Sequence, residues 1–128
     1  MLPLLATLLW SCEVGPAPRR GVEPVPPMPP DLLSSDAARE RGRALYRDKC
    51  VLCHGERADG RGVRRWSLIP PPRDYTDPAW RAQATPSSVY VTIRDGVRGT
   101  AMPAWTALSE DEVWDLVAYV LSVAEQGP

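Results

Sequence analysis

Five consecutive residues, Cys50-Val51-Leu52-Cys53-His54, gather the sole histidine of the chain and two of its three cysteines. A C-x-x-C-H run is the attachment signature of a c-type haem. Two thiols three positions apart can each add to one vinyl group of the same porphyrin, while the imidazole beside the second thiol is carried under the ring to ligate iron. Covalent tether and axial ligand then come from one pentapeptide. Three other readings stand beside this one. A structural zinc site needs four nitrogen or sulfur ligands, and the remaining one here would be the distant Cys12. A thioredoxin-like pair wants a βαβ setting, for which no β-rich run precedes the motif, and gives His54 no role. A plain disulfide between Cys50 and Cys53 leaves the adjacent histidine unexplained.

With the histidine used on one face of the iron, the other face calls for a soft donor. Met1 belongs to an apolar N-terminal run and Met28 to a proline-rich stretch, which leaves Met102, set between Gly99 and Pro103 in a loop. A lone methionine is usually a gap filler of the core. Such a methionine belongs on a helix face, however, and the known pairing of histidine with methionine makes Met102 the expected sixth ligand.

In 128 residues there is room for one domain of ordinary size. With 15 basic against 16 acidic side chains, a nucleic-acid-binding task is disfavoured. The charges are unevenly spread. Nine basic residues (Arg39, Arg41, Arg43, Arg47, Lys49, Arg57, Arg61, Arg64, Arg65) face four acidic ones between Arg39 and Arg65, and after Gly99 there are five acidic residues and no basic one. Two solvated helix faces of opposite sign would account for this, and so would a positive rim that steers an acidic partner.

Residues 2–10 are apolar but far short of the ~20 needed to cross a bilayer as a helix. The run reads as the h-region of an export signal covering residues 1–11. Leu9-Trp10-Ser11-Cys12 resembles a bacterial lipobox, in which Cys12 is lipidated, although Trp10 is bulky for that position and no basic residue precedes the run. The alternative is a soluble export signal cut elsewhere. Residues 12–33 are rich in proline and read as a tether, or else as an arm lying across the domain that residues 34–128 form.

Within that domain Asp36 to Lys49 reads as a helix capped by Ser35 or Asp36, with Gly42 on its apolar face as the sign of a close crossing. Pro70-Pro71-Pro72-Arg73-Asp74-Tyr75 offers a carbonyl to the second ring nitrogen of His54, though it is equally compatible with a spacer. Thr85-Pro86 opens a further helix that Gly96 ends, and Ser109-Glu110-Asp111-Glu112 reads as a capping box opening the last one. No strand or repeat is evident.

The stretch from about Asp36 to Val123 resembles a class I cytochrome c domain: Gly42 and Tyr46 on the first helix, C-x-x-C-H, then Gly99-x-x-Met102-Pro103, then a terminal helix carrying Leu116-Val117-Ala118-Tyr119-Val120. The resemblance implies an all-α fold of three to five helices packed around one covalent haem c, with the first and last helices crossing near Gly42. It further implies Cys50 and Cys53 as thioether residues, His54 and Met102 as iron ligands, and a monomeric electron carrier rather than an enzyme. Expected partners are redox proteins, a membrane respiratory complex among them; the layout of anchor, tether and one domain is also similar to mono-haem subunits of alternative complex III. The expected place is the periplasmic side of a bacterial membrane, held there by lipid on Cys12. An apolar shell from Trp105, Leu108 and Leu121 would raise the potential. Trp66, Tyr75, Trp80, Trp105 and Arg73 are expected as walls or propionate partners, or as ordinary core. The competing reading is a haem whose methionine leaves to admit peroxide, nitric oxide or carbon monoxide.

Overall fold

The computed structural model describes residues 23–126. The expected export signal, Cys12 and the first half of the proline-rich stretch lie outside the described residues. Five helices are present: α1 (Asp36–Lys49), α2 (Val51–His54), α3 (Pro78–Arg81), α4 (Pro86–Asp95) and α5 (Glu110–Gln126), with single 3-10 turns at Leu32–Ser34 and Arg65–Ser67. No strand occurs among the described residues, so the fold is all-α as expected. None of these helices is long and apolar enough to cross a membrane.

Local chemistry sets the helix boundaries. Ser35 sits in extended backbone and its hydroxyl accepts a hydrogen bond from the Ala38 amide at 3.2 Å, satisfying one of the orphan donors of the first turn. Arg47 and Lys49 fall in the last turn, where the helix dipole favours cations. At α4, Pro86 occupies the first position and Thr85 and Ser88 cap each other reciprocally. The box that opens α5 forms as the spacing predicts: the Ser109 amide donates to Glu112 Oε2 at 2.8 Å and the Glu112 amide donates to Ser109 Oγ at 3.2 Å.

The apolar faces then decide the packing. Ala38, Gly42 and Tyr46 of α1 meet Val113, Leu116, Val117 and Val120 of α5, all buried. Each such aliphatic side chain taken from water contributes roughly 1.5–3 kcal/mol before the cost of ordering the chain. Gly42 is where the two backbones touch: a Cβ there would fall on the Asp115 carbonyl and come within 2.9 Å of Tyr119 Cβ. One turn along, the rings of Tyr46 and Tyr119 pack at 5.1 Å. Beside the crossing Arg41 grips Asp115 with two parallel bonds, Nε to Oδ2 at 2.7 Å and a terminal nitrogen to Oδ1 at 2.8 Å. α4 lays Val89, Tyr90 and Ile93 on the same core, with Tyr90 against Trp114 at 4.4 Å.

The proline-rich stretch is not wholly a tether. Leu32 is only 5 % exposed and belongs to the core, and Val25 packs against it. Arg94 of α4 donates to the backbone carbonyls of Glu23 and Pro24 at 3.0 and 3.1 Å. Glu23, Pro24, Val25 and Leu32 therefore lie against the domain.

Candidate haem site

α2 is one turn long and exists to aim side chains. Its amides at Cys53 and His54 both donate to the Cys50 carbonyl, at 3.2 and 2.9 Å, so Cys50, Cys53 and His54 are fixed by a single closed turn. Gly55 ends it with φ +84°, a value that a Cβ would make costly. Tyr46 reaches across from α1 and donates its hydroxyl to the Gly55 carbonyl at 2.7 Å. The Gly60 amide donates to the His54 carbonyl at 2.8 Å. The turn that holds the imidazole is thus braced from both sides, by the Tyr46 hydroxyl and by the Gly60 amide.

His54 is 8 % exposed. Its Nδ1 lies 3.1 Å from the Arg73 carbonyl. A carbonyl can only accept, so Nδ1 carries the proton and Nε2 presents its lone pair. The hydrogen-bonding carbonyl expected from the proline-rich loop is therefore that of Arg73. Tyr75 stacks on the imidazole at 4.8 Å and 17°, with its hydroxyl 3.4 Å from Nε2. Burial holds His54 below the ordinary imidazole pKa, partly offset by the Arg73 carbonyl, so the ring is kept in the neutral form that ligates metals. Burial, with the neighbouring Cys53 adding to it, pushes the Cys50 thiol up to about 12.

Met102 sits on a loop that is equally well pinned. Gly96 turns the chain with φ +68°, and a Cβ there would come within 2.7 Å of the Met102 carbonyl and the Ala104 amide nitrogen. The Val97 amide donates to the Met102 carbonyl at 3.1 Å, the Met102 amide donates to Thr100 Oγ1 at 3.1 Å, and the Trp105 amide donates to the Ile93 carbonyl at 3.1 Å. These three hydrogen bonds fix the backbone on both sides of Met102 and leave its thioether side chain as the free part of the loop.

Cys50, Cys53, His54 and Met102 all line one cavity of about 780 Å³. That is within the range of small-molecule and cofactor sites, ~300–1,000 Å³. The two thiols and the imidazole come from one turn and the methionine from a loop after α4, so the donor set suits a flat macrocycle held by thioethers and ligated on both faces. Among the described residues no cluster of His, Cys, Asp and Glu is placed to hold a metal ion by itself, which removes support from the zinc reading, and Cys50 and Cys53 are free thiols with no disulfide between them.

Other expectations divide. Tyr75, Trp80, Trp105 and Arg73 do line the cavity. Trp66 does not: it is 85 % exposed and forms no wall. Leu108 and Leu121 pack with the core, while the apolar lining contributed by α5 is Leu116 and Val120. Those two lie four apart on the helix, a signal that was present in the sequence but shared with every other core position of α5.

The family described as cytochrome C oxidase, cbb3-type, subunit III matches residues 37–120. The chain is 32 % identical over 85 residues to the cbb3-type cytochrome c oxidase subunit CcoP of Azospirillum brasilense, covering 66 % of this chain and 28 % of that one. It is 29 % identical over 98 residues to the corresponding subunit of Rhodobacter capsulatus, covering 70 % and 31 %. Among solved structures it resembles a chain of the reducing HAO-like protein complex of Kuenenia stuttgartiensis, with a TM-score of 0.58 and 29 % identity over 66 % of this chain and 41 % of that one. It thus spans about a third of the length of the curated relatives it matches.

Proposed function

Since the chain belongs to the cytochrome C oxidase, cbb3-type, subunit III family, we propose that it is a mono-haem c-type cytochrome that carries single electrons between redox proteins of a bacterial respiratory chain. Cys50 and Cys53 would hold the porphyrin through thioethers, and His54 Nε2 and the Met102 thioether would ligate its iron. The bound iron supplies a reversible one-electron couple. The single observation that carries this reading is the placement of His54: Nδ1 is spent on the Arg73 carbonyl, so Nε2 is offered to a cavity that Met102 lines as well.

The chain's own residues tune that couple. The Arg73 carbonyl orients the imidazole and raises its basicity as a ligand. A thioether favours ferrous iron, and so does the apolar lining from Leu116, Val120 and Trp105, which penalises the extra charge of the ferric state. With His54 and Met102 both given to the iron, the chain would leave no open position for a substrate there. One C-x-x-C-H in the sequence supports a single haem. Lipid on Cys12 would fix the domain on the periplasmic side of a membrane, and association with a respiratory complex follows from the kind of protein its relatives are.

The test is expression with a c-type maturation system. The denatured protein is expected to retain haem mass through both thioethers, and Met102→Ala is expected to keep the cofactor while gaining a Soret shift with carbon monoxide in the reduced state. A prompt shift in the unaltered protein would instead favour a ligand-binding or peroxide-consuming haem.

A further inference from the structure

Between Arg61 and Arg73 the chain carries four arginines (Arg61, Arg64, Arg65, Arg73) and no acidic residue. This segment is lashed to the turn that bears the thiols: the Gly62 amide donates to the Cys53 carbonyl at 3.1 Å and the Arg64 amide to the Leu52 carbonyl at 2.9 Å. A Cβ at Gly62 would come within 2.6 Å of that same Cys53 carbonyl, so the approach is as close as two backbones allow. Thus held, the segment turns three apolar side chains outward. Val63 is 80 % exposed, Trp66 85 % and Ile69 93 %. Leu68 and Pro70, on either side of Ile69, point the other way and line the cavity. Cavity wall and exposed strip are two faces of one piece of chain.

A single exposed apolar side chain needs no explanation, but three on a rigid seven-residue segment form a contact surface. Its composition is that of an interface centre, where tryptophan and arginine are enriched and carry most of the binding energy. The Arg65 guanidinium already lies over the Trp66 ring at 4.9 Å, which presents the charge and the apolar plane together.

We propose that residues 61–69 are the docking surface for an acidic redox protein, with Trp66 and Ile69 entering its apolar centre and Arg61, Arg64 and Arg65 meeting its carboxylates. This rests on the electron-carrier reading above. A protein partner fits better than a lipid surface because the strip backs directly onto the cavity wall. Leu68 and Pro70 of the same segment line that wall, so a redox partner seated on the strip lies directly behind the cavity. The exchange moves one electron from donor to acceptor, and no bond forms or breaks.

The experiment uses the full-length holoprotein, its Arg64→Glu/Arg65→Glu double variant and its Trp66→Ala variant, each first checked for covalent haem and an unchanged reduction potential. Reduced flavodoxin, an acidic one-electron donor protein, serves as the probe, and N,N,N′,N′-tetramethyl-p-phenylenediamine, small and uncharged at alkaline pH, as the control. Flavodoxin is expected to reduce the double variant about tenfold more slowly at low ionic strength, the gap closing in high salt. It should reduce Trp66→Ala several-fold more slowly even in high salt, while the small donor reduces all three alike. Equal rates with flavodoxin overturn the proposal. So does Trp66-dependent binding to phosphatidylglycerol vesicles, which assigns the strip to lipid. A protein without covalent haem fails the electron-carrier reading itself, a result separate from either.

Discussion

Tyr46 joins the structural role of one residue to the site. Its hydroxyl donates to the Gly55 carbonyl at 2.7 Å, inside the crossing of α1 with α5. Burial raises its pKa well above the phenol value of 10.0, with the neighbouring Tyr75 adding to the effect. A group whose pKa is raised by folding lends its stability below the unfolded value and withdraws it above, so the domain is expected to lose stability as pH climbs past about 10. Tyr46→Phe should cost about 2 kcal/mol at neutral pH by leaving the Gly55 carbonyl unpaired, and should lessen the alkaline loss. Urea midpoints at neutral and alkaline pH check both; equal slopes with pH for the two proteins would exclude Tyr46 as the source. The acceptor for Tyr46 is not legible in the sequence, because helical spacing says which face a residue occupies and nothing about what lies opposite. The carbonyl for His54 was legible to within a loop, since prolines remove competing donors and leave carbonyls free. Trp66 misled for the converse reason: a tryptophan reads as core by composition, and only the three-dimensional course of residues 61–69 turns it to solvent.

Helix α1 shows what an element can reveal before folding and what it hides. Its start, its end and the meaning of Gly42 all follow from capping chemistry and from the rule that glycine survives inside a helix where another chain passes close. Its ion pair with Asp115 does not, since the partners are 74 residues apart. The four-residue helix α3 escaped as well. Asp77-Pro78 is a helix start, and the Asp77 side chain does accept from the Ala79 amide at 2.9 Å, but four residues are too few for a period to emerge. Gly42→Ala sets two effects against each other. Alanine improves helix propensity by about 1 kcal/mol. The overlap with the Asp115 carbonyl and Tyr119 costs more, about 3 kcal/mol for an overpacked site, so a net loss of about 2 kcal/mol is expected. The urea midpoint of the holoprotein measures it, and an unchanged or higher midpoint would show that the crossing yields more easily than its geometry implies.

For the molecule as a whole, the uneven charge noted along the chain turns out to be partly structural. Glu110, Asp111 and Glu112 fill the first turn of α5, where the helix dipole favours them, Glu112 also closes the cap, and Asp115 is taken up by Arg41. The basic excess has no comparable internal use at Arg61, Arg64 and Arg65, which is why that sign and not the other is available to a partner. The dominant contact of the fold joins α1 to α5, the outermost helices of the described chain. A chain ending at Leu108 is therefore expected to accept haem, since attachment needs only the pentapeptide, yet to show no cooperative unfolding transition by circular dichroism. A sharp transition in that truncated protein would mean that α1 is stabilised from elsewhere.

That pairing also imposes an order of events. While the polypeptide is still emerging, α1 has no companion, and the two sulfurs just beyond it stand open. Arrival of the final helix closes the clasp, after which burial holds the Cys50 thiol in its protonated form. The stretch from His54 to Glu110, where that helix begins, is thus the length of chain that must follow the motif before the clasp can close.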